Sequence, residues 1–154
     1  MSKQFRPGYR RLPGIPQITF LLASMLVSEM AHPETVIEPR GDTATWVSAD
    51  GQGKVTVVPA PPRYDVSYNA FNRFDVGPAG ADFENHQVKA RTIVAEVFSA
   101  SPSRLEGPLA VDGPRANLIF ANQNGVRVNG GQFINFGSVA LTTGRVNLRE
   151  DTLA

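Results

Sequence analysis

Apolar residues recur along this chain in short runs of two to five, broken by glycine, proline, asparagine and aspartate rather than carried through helical turns. Trp46-Val47 and Lys54-Val55-Thr56-Val57-Val58 flank Asp50-Gly51-Gln52-Gly53, which predicts a hairpin. Ala60-Pro61-Pro62 stops its second strand, because proline cannot donate to a ladder. Residues 32–44, with Pro33 and Pro39, predict an extended entry. From Tyr64 to Val76 the chain is aromatic-rich and closes on Gly77-Pro78-Ala79-Gly80. Tyr68, Phe71 and Phe74 lie three apart, yet turn formers on both flanks favour short strands over a helix. Val88 to Phe98 carries the strongest strand pattern. Ile93, Ala95 and Val97 share one face and Val94 and Phe98 the other, as expected of a strand covered on both sides.

After Ser101-Pro102-Ser103 the runs shorten. Leu109-Ala110-Val111, Leu118-Ile119-Phe120, Val126-Arg127-Val128, Phe133-Ile134 and Val139-Ala140-Leu141 alternate with Gly107, Gly113, Gly125, Gly130-Gly131, Gly137 and Gly144. Such strands are shorter than the roughly 5–6 residues of an ordinary strand, and they suit a coil of short strands joined by tight turns. Ile119 to Ala140 is 21 residues, within the ~20–45 of a stacked structural repeat. No strict repeat is visible, so the reading rests on strand length and turn rhythm. Asn117, Asn122, Asn124, Asn129, Asn135 and Asn147 add to it, since asparagine tolerates left-handed backbone and can bond stacked neighbours. The expected architecture is a parallel β-helix.

At 154 residues, 42% apolar and 19% charged, the chain is one domain's worth and can bury a core. It has no cysteine, which excludes disulfides, thiolate metal sites and a cysteine nucleophile. His32 and His86 are the only histidines, too few for a multi-histidine metal centre. The net charge of +1 is uneven. Residues 1–31 hold Lys3, Arg6, Arg10 and Arg11 against Glu29, whereas the other 123 residues hold 11 basic and 13 acidic side chains. A body near neutrality offers no clustered basic face for nucleic acid. The basic start followed by the ten residues Ile18–Val27 has the layout of a secretory signal peptide, and it is too short for a stable membrane span of ~20 residues. The expected division is a leader over 1–31 and a body over 32–154.

Enzymatic chemistry finds little footing. Asp65, Asp75, Asp82, Glu84, Glu96, Glu106 and Asp112 stand singly, without the paired carboxylates of a β-helical lyase or glycosidase. There is no Gly-x-Ser-x-Gly elbow. No catalytic residue, metal or cofactor is expected. His86 reads as a surface-loop histidine, and Arg104 and Arg115 as turn-bonding arginines. Tyr64, Tyr68, Phe71 and Phe74 could form a glycan-stacking surface, but packing at the cap of the solenoid is favoured.

Three segments bear a family resemblance. They are Gly113-Pro114-Arg115-Ala116-Asn117-Leu118-Ile119-Phe120-Ala121-Asn122-Gln123-Asn124-Gly125-Val126, then Asn129-Gly130-Gly131-Gln132-Phe133-Ile134-Asn135, then Ala140-Leu141-Thr142-Thr143-Gly144. Upstream, Ser67-Tyr68-Asn69-Ala70-Phe71, Phe74-Asp75-Val76-Gly77 and Ser101 to Gly107 join them in order. Over about residues 35–147 the chain resembles the secretion domain of two-partner secretion exoproteins, the filamentous haemagglutinin family of adhesins, haemolysins and contact-dependent inhibition toxins. The family's Asn-Pro-Asn-Gly-Ile reads Asn122-Gln123-Asn124-Gly125-Val126 here. Losing the proline removes a preset φ, worth about 0.4–1 kcal/mol, while Asn124-Gly125 still offers positive φ. A second family motif, Asn-Pro-Asn-Leu, is absent.

The resemblance implies an all-β, right-handed parallel β-helix with an N-terminal β cap, incomplete at the C-terminal end because such domains continue for further coils. It implies a secretion-targeting, fold-nucleating domain that crosses the periplasm of a Gram-negative bacterium to the cell surface. Its partner would be an outer-membrane β-barrel transporter, met by β-augmentation of the early strands. Asn122, Asn124 and Gly125 become the candidate recognition or turn motif, with Asn69, Asn129, Gly130 and Asn135 in support. A direct adhesin module binding a host or bacterial surface glycan or receptor is the alternative, and a polysaccharide-active enzyme the remote one.

Overall fold

The computed structural model describes residues 32–149, so the leader predicted over 1–31 lies outside the described residues. Every element in the described part is a strand, and no helix there is long and apolar enough to cross a membrane. β1 (Val36–Pro39) and β2 (Trp46–Ala49) precede the coils. The first coil contributes β3 (Val55–Val58) and β4 (Val66–Asp75), the second β5 (Ala81–Glu84) and β6 (Thr92–Val97). The third contributes β7 (Ser103–Leu105), β8 (Pro108–Asp112) and β9 (Ala116–Asn122). The fourth contributes β10 (Val126–Val128), β11 (Gln132–Ile134) and β12 (Phe136–Thr142).

Successive coils stack strand on strand. One sheet runs β1-β4-β6-β9-β12, a second β11-β8-β5-β3-β2, and a short third joins β10 to β7. All pairings between coils are parallel; only β1 on β4 and β2 on β3 are antiparallel. This is the parallel β-helix expected from the sequence, closed at its first end by a hairpin and an added strand. Ala140 stacks over Ile119, the 21-residue step read from the sequence. The earlier steps are longer: Asn117 lies over Thr92, 25 residues on, and Thr92 over Val66, 26 residues on.

Parallel register stacks like positions into interior columns. Ser67, Ile93, Leu118 and Val139 form one, and Val55, Ala81, Leu109 and Phe133 another. On the third face Val76, Leu105 and Val128 align. Phe74 ties the sheets together, edge-on to Phe71 at 4.9 Å and to Phe120 at 5.1 Å and stacked on Phe83 at 6.0 Å. The three-residue spacing of Phe71 and Phe74 comes from a bulge. Pro39 pairs with Phe71 and Glu38 with Arg73, leaving Asn72 as the extra residue. One inserted residue switches the inward phase, so Phe71 and Phe74 both point to the core. Val88–Arg91, included in the predicted strand, lies before β6, with Lys89 at φ 50°.

Beyond β12 the chain returns across the outer face of the first sheet. The Val146 N–H donates to Glu96 Oε1 at 3.2 Å, and Arg145 lies over the Phe98 ring at 5.9 Å. Leu148 shares an apolar hollow with Tyr64, Val66 and Tyr68. Glu96 is thereby buried, with the Tyr68 hydroxyl as its second donor.

Candidate functional site

Asn122 ends β9 facing inward, in the column of Phe71 and Val97. Its side chain is only 1% exposed. Nδ2 donates to Ser99 Oγ at 3.1 Å, the Ser101 carbonyl at 3.1 Å and Ser103 Oγ at 3.0 Å, while Oδ1 accepts from the Asn124 N–H at 2.9 Å. The Gly125 N–H closes the turn on the Asn122 carbonyl at 2.9 Å. Asn122 is thus the first residue of a four-residue turn, Gln123 the second and Gly125 the last, with φ +112°. The positive φ expected of the Asn124-Gly125 pair is supplied by the glycine. Asn124 is exposed and donates from Nδ2 to the Ser99 carbonyl at 2.6 Å. Together the two asparagines clamp the loop Ser99–Ser103 of the coil above.

Asn69 does the same work at the capped end. It is wholly buried, with Nδ2 on the carbonyls of Ser67 (3.2 Å) and Val94 (3.1 Å) and Oδ1 accepting from Thr45 Oγ1 (2.9 Å) and the Ala60 N–H (2.8 Å). Ser67 Oγ donates to the Ala60 carbonyl beside it. Asn135 takes φ +62° and reaches the carbonyls of Val111 and Gly113, both at 2.9 Å. Asn129 is exposed and is held by its N–H on the Leu105 carbonyl; Gly130 sits at φ +78° in the same corner. The motif residues therefore lie apart, Asn69 within β4 and the others at three separate corners, and only Asn122, Asn124 and Gly125 form one constellation. Among the described residues no asparagine side chain bonds another, so the expected asparagine ladder is replaced by asparagine-to-loop clamps.

Asn85 was not singled out from the sequence, yet it is fully buried and holds Ala90 through both amide atoms and the Pro114 carbonyl at 2.8 Å. It and Asn135 grip the turn Val111–Pro114 from the coils on either side. Only its place before a β-strand in a polar loop hinted at this. Arg115 bonds the Phe136 carbonyl through Nε and a terminal nitrogen, as expected. Arg104 departs from the turn-bonding reading. Its guanidinium stands 3.7 Å from Asp75, on the wall of a cleft of about 720 Å³ rimmed by the Ser99–Ser103 loop. Phe71 and Phe74 are core, whereas Tyr64 is 64% exposed and Tyr68 half-buried. His86 lies at the surface and meets Asp112 at 3.1 Å. Among the described residues no cluster of histidine and carboxylate could hold a metal ion.

A parallel coil stack with a closed first end is a fold shared with proteins of known kind. A model of the TPS secretion domain matches residues 37–153. The chain is 35% identical over 145 residues to filamentous hemagglutinin of Bordetella pertussis, a match covering 81% of this chain and 4% of that protein. It is 30% identical over 151 residues to the 16S rRNA endonuclease CdiA of Enterobacter cloacae subsp. cloacae, covering 83% and 4%. The crystal structure of the filamentous hemagglutinin secretion domain superposes with a TM-score of 0.66 at 35% identity, over 73% of this chain and 44% of that one. The chain spans a small part of these relatives' length, so the endonuclease named above is a property of a far longer protein. With the family model matched over residues 37–153 and the fold in agreement, the chain belongs to the TPS, or two-partner secretion, domain family.

Proposed function

We propose that residues 32–154 serve as the export label and folding nucleus of a two-partner secretion substrate, read in the periplasm by an outer-membrane β-barrel transporter after a leader over 1–31 has routed the chain there. The observation that carries this reading is the match of the TPS secretion domain to residues 37–153 of a β-helix closed at one end. Among the described residues, β1 and β2 present outer edges that pair with no other strand, and Trp46 on β2 is 74% exposed. Main-chain groups of that kind accept an added strand, and an exposed tryptophan supplies an anchor. At the other end the inward positions Val128 and Leu141 are 45% and 40% exposed, and a coil laid on them would cover both. Growth by nearest-neighbour stacking needs no energy source outside the cell, because each coil is stabilised by the one before it.

The test is secretion of a reporter fused behind the chain, with the transporter co-expressed. Export of the wild type is expected, with a loss on Asn122→Ala or Asn124→Ala; retention of the wild type would overturn the reading, and full export of both variants would remove the asparagine turn from it. A second reading, direct glycan binding, is favoured by exposed Tyr64 over the apolar hollow shared with Tyr68 and Leu148. A glycan array probed with the full chain and with Tyr64→Ala decides it, since loss of a specific signal in the variant is required.

A further inference from the structure

The third face of the solenoid carries an arginine row. Arg127 on β10 is the direct register partner of Arg104 on β7, and the bridge of Val76 to Leu105 places Asp75 next in line. Neighbouring strands lie about 4.8 Å apart, so the two arginines project from adjacent positions of the outer face, and like charges on adjacent strands are unfavourable unless an anion joins them. Asp75 supplies one negative charge, shared between Arg73 and Arg104. It is buried, and its carboxylate is taken by Arg73 Nε at 2.9 Å and by the Arg104 backbone N–H at 2.9 Å, leaving the Arg104 guanidinium at 3.7 Å. Among the described residues no carboxylate pairs with Arg127. Glu38, the other acid on this cleft, is exposed and makes no ion pair among the described residues. Arg40, paired with Asp42 at 3.2 Å, and Arg145 lie over the Phe98 ring at the end of the cleft.

The geometry points to this cleft as the docking site for a carboxylate-bearing segment of the secretion partner, a deepening that rests on the export reading above. Charge selects an anion: Arg73, Arg104 and Arg127 line the cleft against two carboxylates, Asp75, which is already committed, and Glu38, which leaves one positive charge in excess. Fork-shaped donors match carboxylates in bidentate fashion. A sulfated sugar is the rival anion, but a sugar ring needs a free aromatic face. Phe74 is buried, and Phe98 is covered by Arg40 at 4.1 Å and by Arg145. The rim, in contrast, is the Ser99–Ser103 loop, whose exposed part, Ala100 and Ser101, carries no aromatic platform for a sugar. The same loop is what Asn122 and Asn124 clamp. The motif asparagines are therefore positioning residues, which hold one wall of the arginine cleft in place and need not touch the partner.

The experiment titrates the full chain with a fluorescent hexaglutamate peptide, with hexaglutamine and with a heparin-derived hexasaccharide as comparisons. Binding of hexaglutamate is expected to weaken at least about tenfold in Arg104→Gln/Arg127→Gln, the loss of one charge-assisted contact or more. It should be unchanged in the control Arg91→Gln, which removes one positive charge from an exposed position on another face, and reduced in each of the single variants Arg104→Gln and Arg127→Gln. The melting temperature of the double variant should be no lower than the wild type's, since two like charges are removed. Equal loss in Arg91→Gln, no loss in the double variant, or arginine-dependent binding of the hexasaccharide alone would each overturn the proposal. In the reporter assay, export of the wild type with equal export of the double variant overturns the docking site and leaves the export reading standing. Retention of the wild type overturns the export reading, and the peptide titration then decides the cleft by itself.

Discussion

Side chains at single positions settle more of this fold than their exposure suggests. Asn122 satisfies three acceptors of the neighbouring coil and one donor of its own turn, whereas Asn124 makes one contact at the surface. Asn122→Ala orphans several buried polar groups, at about 1–3 kcal/mol each when unsatisfied, so a loss of ~2–4 kcal/mol in urea denaturation is expected, against under about 1 for Asn124→Ala. Gln123 occupies the second position of the same turn, where proline presets φ, and the strand residue before it has the extended backbone proline demands. Gln123→Pro should therefore raise the urea midpoint, by a stability gain of about 0.4–1 kcal/mol. The turn was legible in the sequence because Asn and Gly announce turns locally. The partners of Asn122 were not, because serines 19 to 23 residues earlier become neighbours only once the coil closes. Tyr68 offers a pH test. Burial, then its bond to Glu96, lifts its phenol well above the usual value of 10.0. The bond to Asp82 likewise raises Lys54 from 10.5. In both cases the folded state holds its proton more tightly than the unfolded chain, so their stabilisation is complete below about pH 10 and falls as pH rises beyond it. Thermal melts from pH 8 to 11 should show the decline, and Tyr68→Phe should flatten it.

Strands and turns obey a stricter rule than hydrophobic pattern. At the corner between the third face and the second sheet, a Cβ added to Gly107 would lie 1.9 Å from the Gly77 carbonyl oxygen of the coil above. Neither backbone can withdraw without breaking a parallel ladder, so Gly107→Ala should lower the melting temperature sharply or leave the chain insoluble. Gly51, in the hairpin turn, has nothing within 4 Å of an added Cβ, and Gly51→Ala should stay within about 0.5 kcal/mol of wild type. Circular dichroism melts of the two variants make the comparison. The sequence signalled the hairpin of β2 and β3 because Asp-Gly turns and alternating valines are local signals. It did not signal that β1 would pair antiparallel with β4, a contact across more than thirty residues, nor the bulge at Asn72 that turns Phe74 inward. Spacing of apolar residues reports phase within a strand and is silent about where an extra residue breaks that phase.

Across the molecule, stability is distributed unequally. The main strand ladders run from each coil to the next, the first coil is covered by antiparallel strands, and the fourth has interior positions half open to water. Hydrogen exchange measured on the chain should therefore be fastest in β10, β11 and β12 and slowest in β4 and β6, each of which has a strand on either side and lies away from the open end. Uniform protection across all four coils would contradict nearest-neighbour stacking. The segment that crosses back from β12 to Glu96 and the Tyr64 hollow has a mechanical meaning as well. Tension applied from beyond β12 would peel that crossing first and then meet strand ladders end-on, one bond at a time. The molecule would pay out like thread from a reel, in lengths of 21 to 26 residues, about 70–90 Å of chain per turn, and it would resist most strongly at the last winding, beneath the antiparallel lid.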